Sequence, residues 1–126
     1  MTMLFDANAV LRFNLNDHEE MADKVEEILQ KETVSLTIEV QAEIVYVLEK
    51  VYSVSREDIA EGLLSFIKNE NIQLTVPDIA ETALSVFRTK KLDFVDCVLF
   101  AYHSNLHYEV FTFDKKLQRL LKNDPI

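Results

Sequence analysis

Short apolar runs that alternate with helical periodicity predict an α/β fold, here a three-layer α/β/α sandwich around a central, mainly parallel sheet of four to five strands. Three observations carry this. Four segments read as strands: Thr2 to Phe5, Val34 to Leu36, Ile72 to Val76 and Glu109 to Phe113. The stretches between them have helical spacing and begin with capping residues. The length, 126 residues with 48% hydrophobic side chains, suits a single domain over residues 1–126 with one core.

The elements follow in chain order. After the first run, Asp17 and Glu20 have the spacing of a capping box, and so do Ser55 with Asp58, Asp78 with Glu81 just after Pro77, and Asp93 with Asp96. Only one Gly and two Pro leave few sites for long irregular loops. Parallel strands need crossover connections, and these lay helices over both faces of the sheet.

Thirteen basic against 22 acidic residues give a net charge of −9, which argues against binding nucleic acid through bulk positive charge. A cation held by carboxylates, a small basic patch such as Lys115, Lys116, Arg119 and Lys122, or a basic protein partner would offset that charge. No apolar run reaches the length of a membrane span, and the opening MTMLFDANAV meets an acid at position 6, too early for a signal peptide. The expectation is a cytoplasmic protein that does not enter the membrane. The single Cys97 reads as a small core residue rather than a nucleophile.

In such a sheet, strand C-termini and helix N-termini gather on one edge, where ligands bind. Asp6 directly follows the first strand-like run and Asp114 the fourth, and Asp96 falls in the first turn of the helix before that fourth run. Glu43 sits about six residues into the helix after the second run, roughly 9 Å below the edge at a rise of 1.5 Å per residue. On a helical wheel Val40, Ile44, Val47, Leu48 and Val51 form its buried stripe. Glu43 lies on the flank of that stripe, Glu39 farther round and Glu49 nearly opposite. The segment FVDCVLFAY, residues 94–102, is apolar almost all round with Asp96 as its one charge, so a buried helix is expected. Capping explains Asp93 well and Asp96 less well, and for Asp6 and Asp114 the cap and ligand readings stand level. Several carboxylates on one edge repel one another, a penalty that a hard cation relieves. Mg²⁺ or Mn²⁺ suits an oxygen-only set. His103 and His107 have the i, i+4 spacing of a metal pair but no third ligand, and they read as surface or helix-end residues. His18 follows the expected cap at Asp17. Tyr46, Tyr52, Phe66 and Phe87 read as core or interface residues.

LFDANAVL, AEIVYVLEKVY, LDFVDCVLFAY and EVFTFDKKL, in that order, resemble the four acidic segments of the PIN domain family, in particular the short VapC-type ribonucleases of toxin–antitoxin pairs. That resemblance implies that Asp6, Glu43, Asp96 and Asp114 are catalytic and hold one or two Mg²⁺ or Mn²⁺ ions, with Asp93 as a nearby acid. Asn8 and Thr112 match polar supporting positions, although the family often has Ser or Thr where Asn8 stands. It further implies hydrolysis of single-stranded RNA to a 3′-hydroxyl and a 5′-phosphate, with Arg12, Lys115, Lys116 and Arg119 as phosphate contacts. A cognate antitoxin and a homodimer are the implied partners. Two other readings compete: a PIN-fold RNA-processing or binding protein that is not a toxin, and a phospho-accepting receiver domain. The second is disfavoured because a receiver needs an acceptor Asp after a middle strand near position 55, where the chain reads KVYSVSREDI.

Overall fold

In the computed structural model, which describes residues 2–123, three short parallel strands alternate with helices. The order is β1 (Thr2–Leu4), α1 (Ala7–Leu15), α2 (Glu19–Lys31), β2 (Thr33–Leu36), α3 (Ile38–Lys50), α4 (Arg56–Phe66) and β3 (Ile72–Leu74). It ends with α5 (Pro77–Thr89), α6 (Phe94–Leu106) and α7 (Lys115–Lys122). β2 is the central strand. Thr2 pairs with Thr33 and Leu4 with Ser35 on one side, and Val34 pairs with Ile72 and Leu36 with Leu74 on the other. A helical pair fills each crossover, as parallel pairing requires.

The sheet is smaller than expected. Among the described residues it has three strands, and residues 109–113 run without a strand partner. Phe111 and Phe113 are 85% and 87% exposed, and their rings meet edge to face at 5.1 Å. β1 therefore keeps one open edge, and all three of its residues are exposed, Leu4 by 68%. Aromatic and β-branched residues recommend a strand only where they have something to pair with.

Helix starts follow local chemistry, with corrections at α2, α5 and α6. Ser55 accepts from the Asp58 amide as expected. The cap of α2 is His18, whose Nδ1 accepts from the Met21 amide at 3.2 Å, while Asp17 is drawn to Arg12. Val76 occupies the N-cap of α5 with no side-chain bond, and Pro77 starts that helix because its missing N–H is not needed there.

One apolar cluster runs through the chain from Phe5 to Leu117, with Ile44, Ile59, Leu63, Leu84 and Phe87 almost wholly enclosed. Each such side chain contributes about 1.5–3 kcal/mol of burial. The buried stripe of α3 is rotated from the expected one: Gln41, Ile44, Val45 and Leu48 face inward, whereas Val51 is 66% exposed. α6 is only partly buried. Phe94, Cys97 and Ala101 face the core, and Val95, Leu99 and Leu106 are exposed. Phe66 and Phe87 are core residues, whereas Tyr46 and Tyr52 lie on the surface. No helix among the described residues is long and apolar enough to cross a membrane.

Candidate functional site

Asp93 precedes α6, Asp96 lies in its first turn, and Asp114 caps α7. These three line one cleft of about 370 Å³ with Lys91, Lys115 and Lys116. Asp114 accepts from the Leu117 amide at 2.9 Å. Thr112 supports that turn: its hydroxyl accepts from the Asp114 amide at 3.0 Å, and its carbonyl accepts from Gln118 Nε2 at 2.7 Å. Asp93 occupies an N-cap yet makes no side-chain cap bond, contrary to the capping role expected of it. Its carboxylate is not spent on the helix.

Burial, then the charges of Asp114 and Asp93, push the Asp96 carboxyl above its ordinary value. The repulsion expected of acids on one edge is thus felt at Asp96. Cys97, one residue on, is fully enclosed, and burial pushes its thiol up to about 12, so it is a core residue and no nucleophile.

The other expected acids lie elsewhere. Asp6 caps α1, accepting from the Ala9 amide at 2.9 Å, and with Asn8 it lines a separate cleft of about 450 Å³ between β1, α1 and α2. Glu43 is exposed on α3 and lines neither cleft. Glu49, placed opposite the buried stripe on the wheel, is instead half-buried because Arg56 Nη1 donates to it at 2.8 Å. Among the described residues no three His, Cys, Asp or Glu side chains stand close enough to hold one metal ion. The chemistry of the cleft suits a hard cation, since its donors are carboxylates under mutual repulsion and an oxygen ligand set is what such a cation prefers.

Arg12, expected to contact phosphate, is already committed. Nη1 donates to Asp17 at 2.8 Å and Nη2 to the Tyr52 hydroxyl at 3.1 Å. His107 ends α6 at a φ of 61°, and His103 Nδ1 lies 2.8 Å from the Tyr108 carbonyl, so the i, i+4 pair belongs to a helix end. Lys91 was not singled out from the sequence, although the dipeptide Lys90–Lys91 stands directly before LDFVD.

Acids gathered at two helix starts, and a further one at the end of a strand, define an α/β domain with an oxygen-only acidic site. A family model narrows the class: the PIN domain model matches residues 3–123, so the chain belongs to the PIN domain family, a family of nucleases. No curated protein and no solved structure matches it.

Proposed function

We propose that the chain is a metal-dependent endoribonuclease that hydrolyses phosphodiester bonds of single-stranded RNA, and that it is the toxin of a toxin–antitoxin pair. The observation that carries the nuclease reading is the shared cleft of Asp93, Asp96 and Asp114, with the Asp96 carboxyl raised by burial and by its two neighbours. Asp96, Asp114 and Asp6 would hold one or two Mg²⁺ or Mn²⁺ ions, with Asp93 beside them and Glu43 reaching in from α3. The chemistry such ions supply when bound is polarisation of the scissile phosphate and activation of a water. The chain's own part is to orient the carboxylates. Thr112 holds the turn at Asp114, and Asn8 flanks Asp6.

Asp6 joins the other acids if residues 109–113 pair with the open edge of β1 as a fourth parallel strand. Asp114 would then follow its strand as Asp6 follows β1, level with it across the pair, within the three-layer sandwich. The unpaired edge and the exposed Phe111 and Phe113 support this arrangement, because each supplies what the other lacks. An antitoxin with a basic segment suits a surface of charge −9, and the exposed Val95, Leu99 and Leu106 of α6 offer a face for a homodimer.

The test is cleavage of a single-stranded RNA by purified protein with Mn²⁺ or with EDTA, beside Asp6→Asn and Asp96→Asn. Cleavage only by the unaltered protein with Mn²⁺ is expected, and equal cleavage in all samples sinks the reading. Growth arrest on expression, relieved by the product of a neighbouring gene, tests the toxin role.

A further inference from the structure

The acid cleft does not end at the acids. It shares Lys91, Leu92 and Lys116 with a second cleft of about 280 Å³ that continues to Lys90, Arg119 and Asn123. This neighbour contains no carboxylate among its lining residues.

The distribution of bases over the molecule gives that cleft its meaning. Of the 13 Lys and Arg residues, Arg12, Lys31, Lys50, Arg56 and Arg88 form ion pairs. Eight have none among the described residues. Five of those eight, Lys90, Lys91, Lys115, Lys116 and Arg119, line the two adjoining clefts, and all five are exposed. Two regions distant in sequence, the loop that follows α5 and the helix α7, bring them together. In a chain of charge −9 a polyanion is repelled almost everywhere, so a local concentration of uncommitted cations decides where it can lie.

Resting on the nuclease reading above, we infer that Lys90, Lys91, Lys116 and Arg119 form a backbone track that grips the RNA phosphates on one side of the scissile bond. The strand leaves the acids past Lys91 and Lys116 and runs toward Lys90 and Arg119. Arg12 takes no part, because Asp17 and Tyr52 occupy it. The track reads charge and carries no base preference, since phosphate contacts position a strand without specifying its sequence.

The probe is a fluorescein-labelled oligouridine. Its binding is followed by anisotropy in EDTA across a KCl series, and its cleavage is measured in Mn²⁺. The double variant Lys90→Gln/Lys91→Gln is compared with Lys31→Gln/Lys68→Gln, which removes the same charge elsewhere. For the first pair the track requires a loss of affinity of at least about 10-fold and a salt slope shallower by about 1.4, at roughly 0.7 per phosphate contact on a single strand. The second pair should leave both near their original values. Equal losses in the two pairs, or none in either while the unaltered protein binds and cleaves, overturn the track and leave the nuclease reading standing. Absence of both binding and Mn²⁺-dependent cleavage in the unaltered protein overturns the two together.

Discussion

The two flanks of the acidic site are built to different standards. On the α6 side, the Arg56 guanidinium, at the start of α4, gathers three segments: it donates to Glu49 on α3, to the Phe87 carbonyl on α5 and to the Leu92 carbonyl in the loop before α6. It also lies 3.7 Å from the centroid of the Phe87 ring, which meets Phe94 edge-on at 6.0 Å. The Leu92 carbonyl belongs to the same peptide unit as the Asp93 amide, so this clamp sets the plane from which α6 departs. On the β1 side, Arg12 of α1 donates to Asp17 and to the Tyr52 hydroxyl, but among the described residues no such clamp reaches β1 itself. β1 has an open edge, and the segment that leads to Asp114 exposes both of its phenylalanines. Asp93 and Asp96 on the clamped flank share a cleft, which Asp114 joins from the start of α7, while Asp6 beside β1 stands apart from them. Convergence of a site thus depends on the backbone that delivers each side chain as much as on the side chains themselves.

Cutting the clamp should produce the largest change. Arg56→Met keeps the aliphatic stem but removes three hydrogen bonds and leaves the half-buried Glu49 without that partner. The expected cost is about 2–4 kcal/mol, at roughly 1 kcal/mol per bond and more where a charged partner is stranded. Urea unfolding measures it. A loss under about 1 kcal/mol would mean that the clamped flank owes its order to packing around Phe87 alone.

The open flank should respond to the converse manipulation. If residues 109–113 pair with β1, Mn²⁺ binding and strand pairing reinforce each other, because a ligand that binds only the closed form draws the population toward it. Amide exchange at residues 3–4 and 110–112 should then slow on adding Mn²⁺. Thr112→Pro removes a donor from the new ladder and the hydroxyl that accepts from the Asp114 amide. A fall of about 10-fold in Mn²⁺ affinity is expected, the low end for lost support of a ligand. Unchanged exchange with Mn²⁺ bound would show that the site closes some other way, or that it does not need β1.

The clamped and open flanks also differ in how far the sequence discloses them. Parallel strands, crossover helices and the acids at their ends are local patterns, so three of the four expected strands and the position of Asp96 in the first turn of α6 could be read directly. Phe111 and Phe113 have strand propensity, but propensity is silent on whether a neighbour is in place. The rotation of α3 was hidden for a related reason. A wheel assigns Glu49 to solvent from its angle to the apolar stripe, and only the contact with Arg56, seven residues away around a turn, draws it inward. Gln41 carries no core signal in the sequence, because an amide seldom fills a core position, yet it is wholly enclosed. The pairing of Lys90 and Lys91 with Lys116 and Arg119 is a product of how α7 returns to the end of α5, which no local pattern encodes.

The smallest expected effect is also the most specific to the acids. In the folded protein Asp96 keeps its proton to a higher pH than an ordinary carboxylate, first because of burial and then because of Asp114 and Asp93. Lys91, Lys115 and Lys116 line the same cleft without reversing that direction. The folded state therefore binds more protons than the unfolded chain between the ordinary carboxylate value and the raised one, so stability falls as pH rises through that window. Above it the penalty is fully present. Asp96→Asn removes the charge, so the metal-free variant should melt higher than the unaltered protein at neutral pH, by roughly 1–3 °C for a domain of this size, and should lose the part of the pH dependence that Asp96 contributes. Adding Mn²⁺ should reverse the ranking, because the unaltered protein gains a ligand that the variant holds poorly. Calorimetric scans at several pH values, with Mn²⁺ and with EDTA, separate the two cases. A variant that melts no higher in EDTA would show that the three acids already coexist without strain, and a cation in their cleft would have no repulsion to relieve.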